Sequence, residues 1–128
     1  MPELKLKQLQ HETDTWKRSL GFMMDENVHL KNRLSEILKN NFDQNLLEDA
    51  ESFHSGFIKE DELISLLRND IVELDKFLLR ETFEDGKISK DLDRTVKKLR
   101  KNMDITEKQF SRLKSEFNSY LSENIQSG

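Results

Sequence analysis

Two tetrapeptides in this chain carry the same chemistry at the same spacing: "ENVH", Glu26 to His29, and "ESFH", Glu51 to His54. Residues three apart share one face of a helix, so in Glu-x-x-His a carboxylate and an imidazole can converge on one ion. In four-helix bundles this pattern is part of di-iron and di-manganese carboxylate sites, which also need inward glutamates from the other helices. Glu60, in an otherwise apolar column, and Glu116, at a matching height later in the chain, are the carboxylates that could complete such a set. The candidate ligands are therefore Glu26, His29, Glu51, His54, Glu60 and Glu116.

Other chemistries find no support. The chain has no cysteine, which removes disulfide frameworks, thiol catalysis and thiolate metal sites. There is no Gly-rich phosphate loop, no nucleophile elbow and no His-Glu-x-x-His. The third histidine, His11, stands alone near the N-terminus. The expectation is a non-enzymatic protein without a cofactor.

Whether the two Glu-x-x-His motifs can meet depends on the elements that carry them. Leu9, Trp16, Met23, Leu30 and Ile37 recur every seven residues, and Leu6, Thr13, Leu20, Asn27 and Leu34 form a second column three residues earlier. These are the d and a positions of a heptad pattern. Pro2 and Glu3 suit a first turn, so a first helix is expected over 3–40. Asp43 is an N-cap candidate, with Phe42 placed to staple onto Leu47. The second seam has Ala50, Phe57, Ile64, Ile71 and Leu78 at a, and Leu46, Phe53, Glu60, Leu67 and Leu74 at d. That predicts a helix over 44–83. Gly86 can close it and Ser89 can cap the next. The third seam has Val96, Met103, Phe110 and Phe117 at a, and Leu92, Leu99, Thr106, Leu113 and Tyr120 at d, which predicts a helix over 88–124. Gly56 and the capping-box-like stretch at Thr106 are where a break would fall. The heptad phase passes through both without slipping, so unbroken helices are expected.

Three long helices joined by short turns run antiparallel to their sequence neighbours. The fold class is therefore all-α: an elongated antiparallel up-down-up three-helix bundle with coiled-coil-like heptad packing, one domain over 1–128. Charged residues at 36%, one Pro and four Gly agree with long helices around a narrow core. No apolar run reaches membrane-spanning length, and the N-terminal residues lack the apolar core of a secretory signal. The net charge of −4 gives no overall pull toward nucleic acid or anionic lipid. A cytoplasmic protein is the expectation.

In this frame Glu26 and His29 are g and c residues, and Glu51 and His54 are b and e residues. The motifs lie at similar heights on opposite flanks of the interface between the first two helices, so they should not converge within one chain. A di-iron or di-manganese site would require dimerisation, which remains an alternative reading. Polar residues also interrupt the seam: Thr13, Asn27, Asn41, Glu60 and Thr106. A polar layer at Asn27 and Glu60 would set register; a buried Glu60 would instead be a carboxyl of raised pKa.

"RTVKKLRK", Arg94 to Lys101, is the one basic cluster. It allows a weak nucleic-acid reading through phosphate neutralisation, but no aromatic residue interrupts the run to stack a base. Pairing with the second helix is the favoured role, because Lys97 and Lys101 fall level with Asp75 and Ile71. Finally, apolar residues occur off the seams: Phe22, Met24 and Val28 on the first helix, and Leu63, Leu66, Val72, Phe77 and Leu79 on the second. This surplus exceeds what two neighbouring helices cover and points to a surface for another helical chain or a second copy. Phe22, Met24, Val28, Leu63, Leu66 and Phe77 are the partner-binding candidates. The expected function is a protein-interaction or scaffold module, with a homodimer as the simplest assembly.

Overall fold

The structure, a computed structural model, describes residues 2–40, 43–84 and 90–124. Every one of these except Asp43 is α-helical. The helices are α1 (Pro2–Asn40), α2 (Gln44–Glu84) and α3 (Lys90–Asn124). Local chemistry accounts for their ends. Pro2 opens α1, where its fixed φ and missing N–H cost nothing. The Asp43 carboxylate accepts from the backbone N–H groups of Asn45 at 2.9 Å and Leu46 at 3.3 Å, which caps α2. Asp91 and Asp93 complement the dipole in the first turn of α3. The proposed staple at Phe42, the Gly86 closure, the Ser89 cap and the seam position Asn41 lie outside the described residues.

Neither suspected break occurs, and α2 and α3 run continuously through Gly56 and Thr106. Gly56 has a packing reason for its type. A Cβ there would stand 3.0 Å from Cδ1 of Leu113, so the absent side chain lets α3 come close.

α1 packs along α2 and α2 along α3. The chain runs up, down and up, so α1 and α3 are parallel. The a and d columns converge on one continuous core, with Leu20, Leu34, Phe57, Ile64 and Phe117 fully enclosed. The end near the start of α2 is aromatic. The Phe117 ring meets Phe57 edge-on at 5.1 Å and Phe53 at 5.2 Å, a favoured ring geometry. The Tyr120 hydroxyl donates to the Leu46 carbonyl oxygen at 2.9 Å, tying α3 to the first turn of α2. Leu121, off the a and d columns, is also buried.

Each helix–helix boundary has its own flank chemistry, repeated every heptad. Between α1 and α2 the e columns face each other: Lys17 pairs with Asp75, Arg68 donates to Met24 Sδ at 3.4 Å, and Lys31 pairs with Asp61 at 2.5 Å. Between the parallel α1 and α3, g faces e. Arg100 holds Glu12 at 2.7 and 2.8 Å, Ser19 donates to Glu107 at 2.9 Å, and Lys114 reaches Glu26 at 2.6 Å. Lys5 continues this row. It adds to the pull that holds the Asp93 carboxyl below the usual range, a shift dominated by the hydrogen bond from Lys97. Between α2 and α3 the g columns meet, and no ion pair crosses this boundary among the described residues. With e of α2 turned to α1 and g turned to α3, the b, c and f columns of α2 point away from the bundle.

Candidate functional site

The structure separates the metal-ligand candidates. Glu26 lies on the α1–α3 flank and its carboxylate is held by Lys114. His29 is exposed on α1, and Glu51 and His54 are exposed on the other side of the α1–α2 interface. Glu116 is exposed on α3, facing the α2 boundary rather than Glu26. Among the described residues, no three His, Cys, Asp or Glu side chains gather in a way that could hold a metal ion.

Glu60 differs from the other candidates. It is 5% exposed, and its Oε2 and the Oδ1 of fully buried Asn27 have no hydrogen-bond partner among the described residues. Burial lifts the Glu60 carboxyl above its ordinary pKa, while neighbouring Lys59 pulls it back. Asn27 is held on its other atom: Nδ2 donates to the Phe57 carbonyl oxygen at 2.9 Å and to Asp61 Oδ1 at 2.6 Å, and Lys31 completes the row. The polar interruption at Asn27 and Glu60 is therefore a buried layer whose Asn arm fixes the register of α1 against α2. Thr13 and Thr106 are buried too, and Thr13 satisfies its hydroxyl by donating to the Gln10 carbonyl at 2.9 Å.

The expected pairing of the basic run with α2 is corrected. Lys97 pairs with Asp93 at 3.1 Å and Arg94 with Asp91 at 4.0 Å, both within α3, while Arg100 reaches across to Glu12 of α1. Asp75 is taken by Lys17. Height along the axis had suggested the α2 partners. Azimuth overrides it: Lys97 and Lys101 are b and f residues, turned away from α2, and Arg100 is an e residue turned toward α1.

The off-seam apolar residues sort into two groups. Met24 and Phe77 are partly buried against the core, and Leu63 is half-buried at the α2–α3 boundary. The Arg80 guanidinium lies 5.0 Å over the Phe77 ring, and the two sit at the rim of a shallow groove of about 320 Å³ between α2 and α3 that Leu74 and Leu99 floor. These three candidates are structural flank residues more than free surface. Phe22, Val28 and Leu66 are exposed, at 64%, 46% and 60%. They are joined by residues not among the candidates: Leu38, Ile58, Val72, Leu79 and Ile105. Four of these exposed side chains, Ile58, Leu66, Val72 and Leu79, lie on the outward b and c columns of α2. Ile58, Val72 and Leu79 share the b column and Leu66 stands on c, across the polar f column of Glu62, Asn69 and Lys76, so the four are spread over a face about 32 Å long at 1.5 Å per residue. Val72 and Leu79 were visible as off-seam residues. Their common exposure follows from which flanks of α2 its neighbours cover.

No helix among the described residues is long and apolar enough to cross a membrane. Comparison with protein-family models, curated proteins and solved structures finds no match to this chain.

Proposed function

We propose that this chain is a cytoplasmic, non-enzymatic helical interaction module that self-associates through the outward face of α2. The supporting observation is the group of exposed apolar side chains Ile58, Leu66, Val72 and Leu79 on that face. A helix with only two neighbours has a whole side in water, and that side is ordinarily polar. α3 follows this rule, with Ile105 as its one large exposed apolar side chain. α2 does not. Apolar side chains on a face that the bundle leaves uncovered are what a partner helix requires.

The test is sedimentation across a concentration series. A reversible monomer–dimer equilibrium at micromolar concentrations is expected, weakened when Leu66 and Val72 are both replaced by Ser. A chain that stays monomeric at several hundred micromolar overturns the proposal. Dimerisation indifferent to L66S/V72S overturns the choice of face.

A further inference from the structure

We propose that the outward face of α3 between Arg94 and Arg112 docks the phosphate backbone of a nucleic-acid duplex, without regard to base sequence. The b, c and f columns of α3 point away from α1 and α2. Over this stretch they carry Arg94, Lys97, Lys98, Lys101, Lys108 and Arg112, all exposed. Asp104 is the single carboxylate on these columns here, so six cations against one carboxylate give the face +5. The whole chain has a net charge of −4, which leaves −9 for the rest of the molecule. The other outward faces lack this bias: the same columns of α1 carry three cations and three carboxylates, and those of α2 carry three and four. Lys98, Lys101 and Arg112 form no ion pair among the described residues. Arg94, Lys97 and Lys108 pair only within α3, with Asp91, Asp93 and Asp104, and each cationic side chain is more than two-thirds in water. Such exposed pairs are worth little, so these cations can turn to a stronger anion. Lys98 marks one edge of the face, where Asp70 and Glu73 stand across the groove to α2. The f column, Arg94, Lys101 and Lys108, is its centre and holds no carboxylate over this stretch.

The composition of the face selects among anionic partners. It is about 27 Å long at 1.5 Å per residue. A duplex carries one charge per about 1.7 Å of its axis, so a groove or strand lying along this face passes about sixteen phosphates. Neutralising some of them releases condensed counterions, which drives binding with no base contact. No aromatic residue stands on the face, so it has nothing on which the bases of a single strand could stack. Ile105 is its one large apolar side chain, too little to enter a lipid acyl boundary. A second copy offers no matching acidic face, because the outward columns of α1 and α2 are close to balance. Beyond Arg112 the same columns carry Ser115, Asn118, Ser119 and Ser122, so the charge ends there. The face is separate from the exposed apolar side chains of α2, and the proposal stands whether or not the chain self-associates.

The experiment is fluorescence anisotropy of a labelled 30-base-pair DNA duplex titrated with the full chain at 50, 100 and 200 mM salt. With about three or four phosphates contacted, affinity should fall about 40- to 150-fold across that range. K101Q/K108Q should weaken binding at 50 mM salt at least tenfold and make the salt dependence shallower by about two counterions. K7Q/R18Q removes the same charge from the outward face of α1 and should leave binding within about twofold. Circular dichroism confirms that each variant is folded. No binding at 50 mM salt with 100 μM protein overturns the proposal, as does binding that salt leaves unchanged. Binding that K101Q/K108Q does not weaken, or that K7Q/R18Q weakens equally, overturns the choice of face. Tighter binding to a single strand of the same length overturns the duplex as partner. Binding to vesicles containing phosphatidylserine in the absence of duplex binding overturns nucleic acid in favour of a membrane surface.

Discussion

Replacing Glu60 by Gln should stabilise this protein, and by an amount that depends on pH. Glu60 is 5% exposed and one of its carboxylate oxygens has no hydrogen-bond partner among the described residues. Leaving a buried polar atom unsatisfied costs about 1–3 kcal/mol, and more when it is charged. Burial raises the Glu60 pKa in the folded chain above its ordinary value, with Lys59 opposing. In the unfolded chain it titrates near the usual carboxylate value of about 4.3. Below that pH the group is protonated in both states and costs nothing extra. As pH rises through the unfolded and then the folded pKa, the folded state resists losing its proton and stability falls. Gln has nearly the same shape and never carries the charge. E60Q should therefore match the native chain near pH 4 and exceed it by about 1–2 kcal/mol at pH 8. The gain corresponds to roughly 4–8 °C in melting temperature for a domain of this size. Urea unfolding followed by circular dichroism at pH 4, 5, 6, 7 and 8 measures it. Stability curves of the two proteins that run parallel across this range would refute the reasoning, as would E60Q being the weaker at pH 8.

Four further substitutions probe the packing. Gly21 has open space where a Cβ would go, so Gly21→Ala should add about 0.5–1 kcal/mol from helix propensity alone. Gly56→Ala should gain less, because Leu113 must shift from a Cβ 3.0 Å away; equal gains in urea unfolding would show that this close approach imposes nothing. Glu12→Lys should cost about 0.5–1 kcal/mol at low salt by opposing Arg100, and E12K/R100E should recover most of it; a cycle showing no coupling would remove the α1–α3 ladder as a register device. Tyr120→Phe should cost about 1 kcal/mol by deleting the hydrogen bond to Leu46, and thermal melts unchanged by the substitution would mean that bond contributes nothing net.

Much of the fold was legible before any coordinates. Heptad columns are a local property, since each residue's place depends only on its distance along the chain from its neighbours. That is why the three helices, their approximate ends, the Asp43 cap and the continuity through Gly56 and Thr106 follow from residue types alone. The burial of Asn27 and Glu60 follows too, since their columns must face inward. The separation of Glu26 and His29 from Glu51 and His54 was likewise a consequence of column identity. The pairing of Lys97 with Asp75 failed because it used height alone. Two residues at one level meet only when their columns also face each other.

The amino-acid sequence by itself determined the number, phase and length of the helices and the residues of the seam. Only the tertiary structure decided on which side of the α1–α2 hairpin α3 lies. The seam is common to both arrangements, because a and d point inward either way. The flanks distinguish them. With α3 on the g side, Glu12, Ser19 and Glu26 find Arg100, Glu107 and Lys114, and the opposite charges on those columns were the signal a reading of the seam alone passed over. That choice turns e and g of α2 to its neighbours. It thereby leaves Ile58, Leu66, Val72 and Leu79 as the face open to another chain.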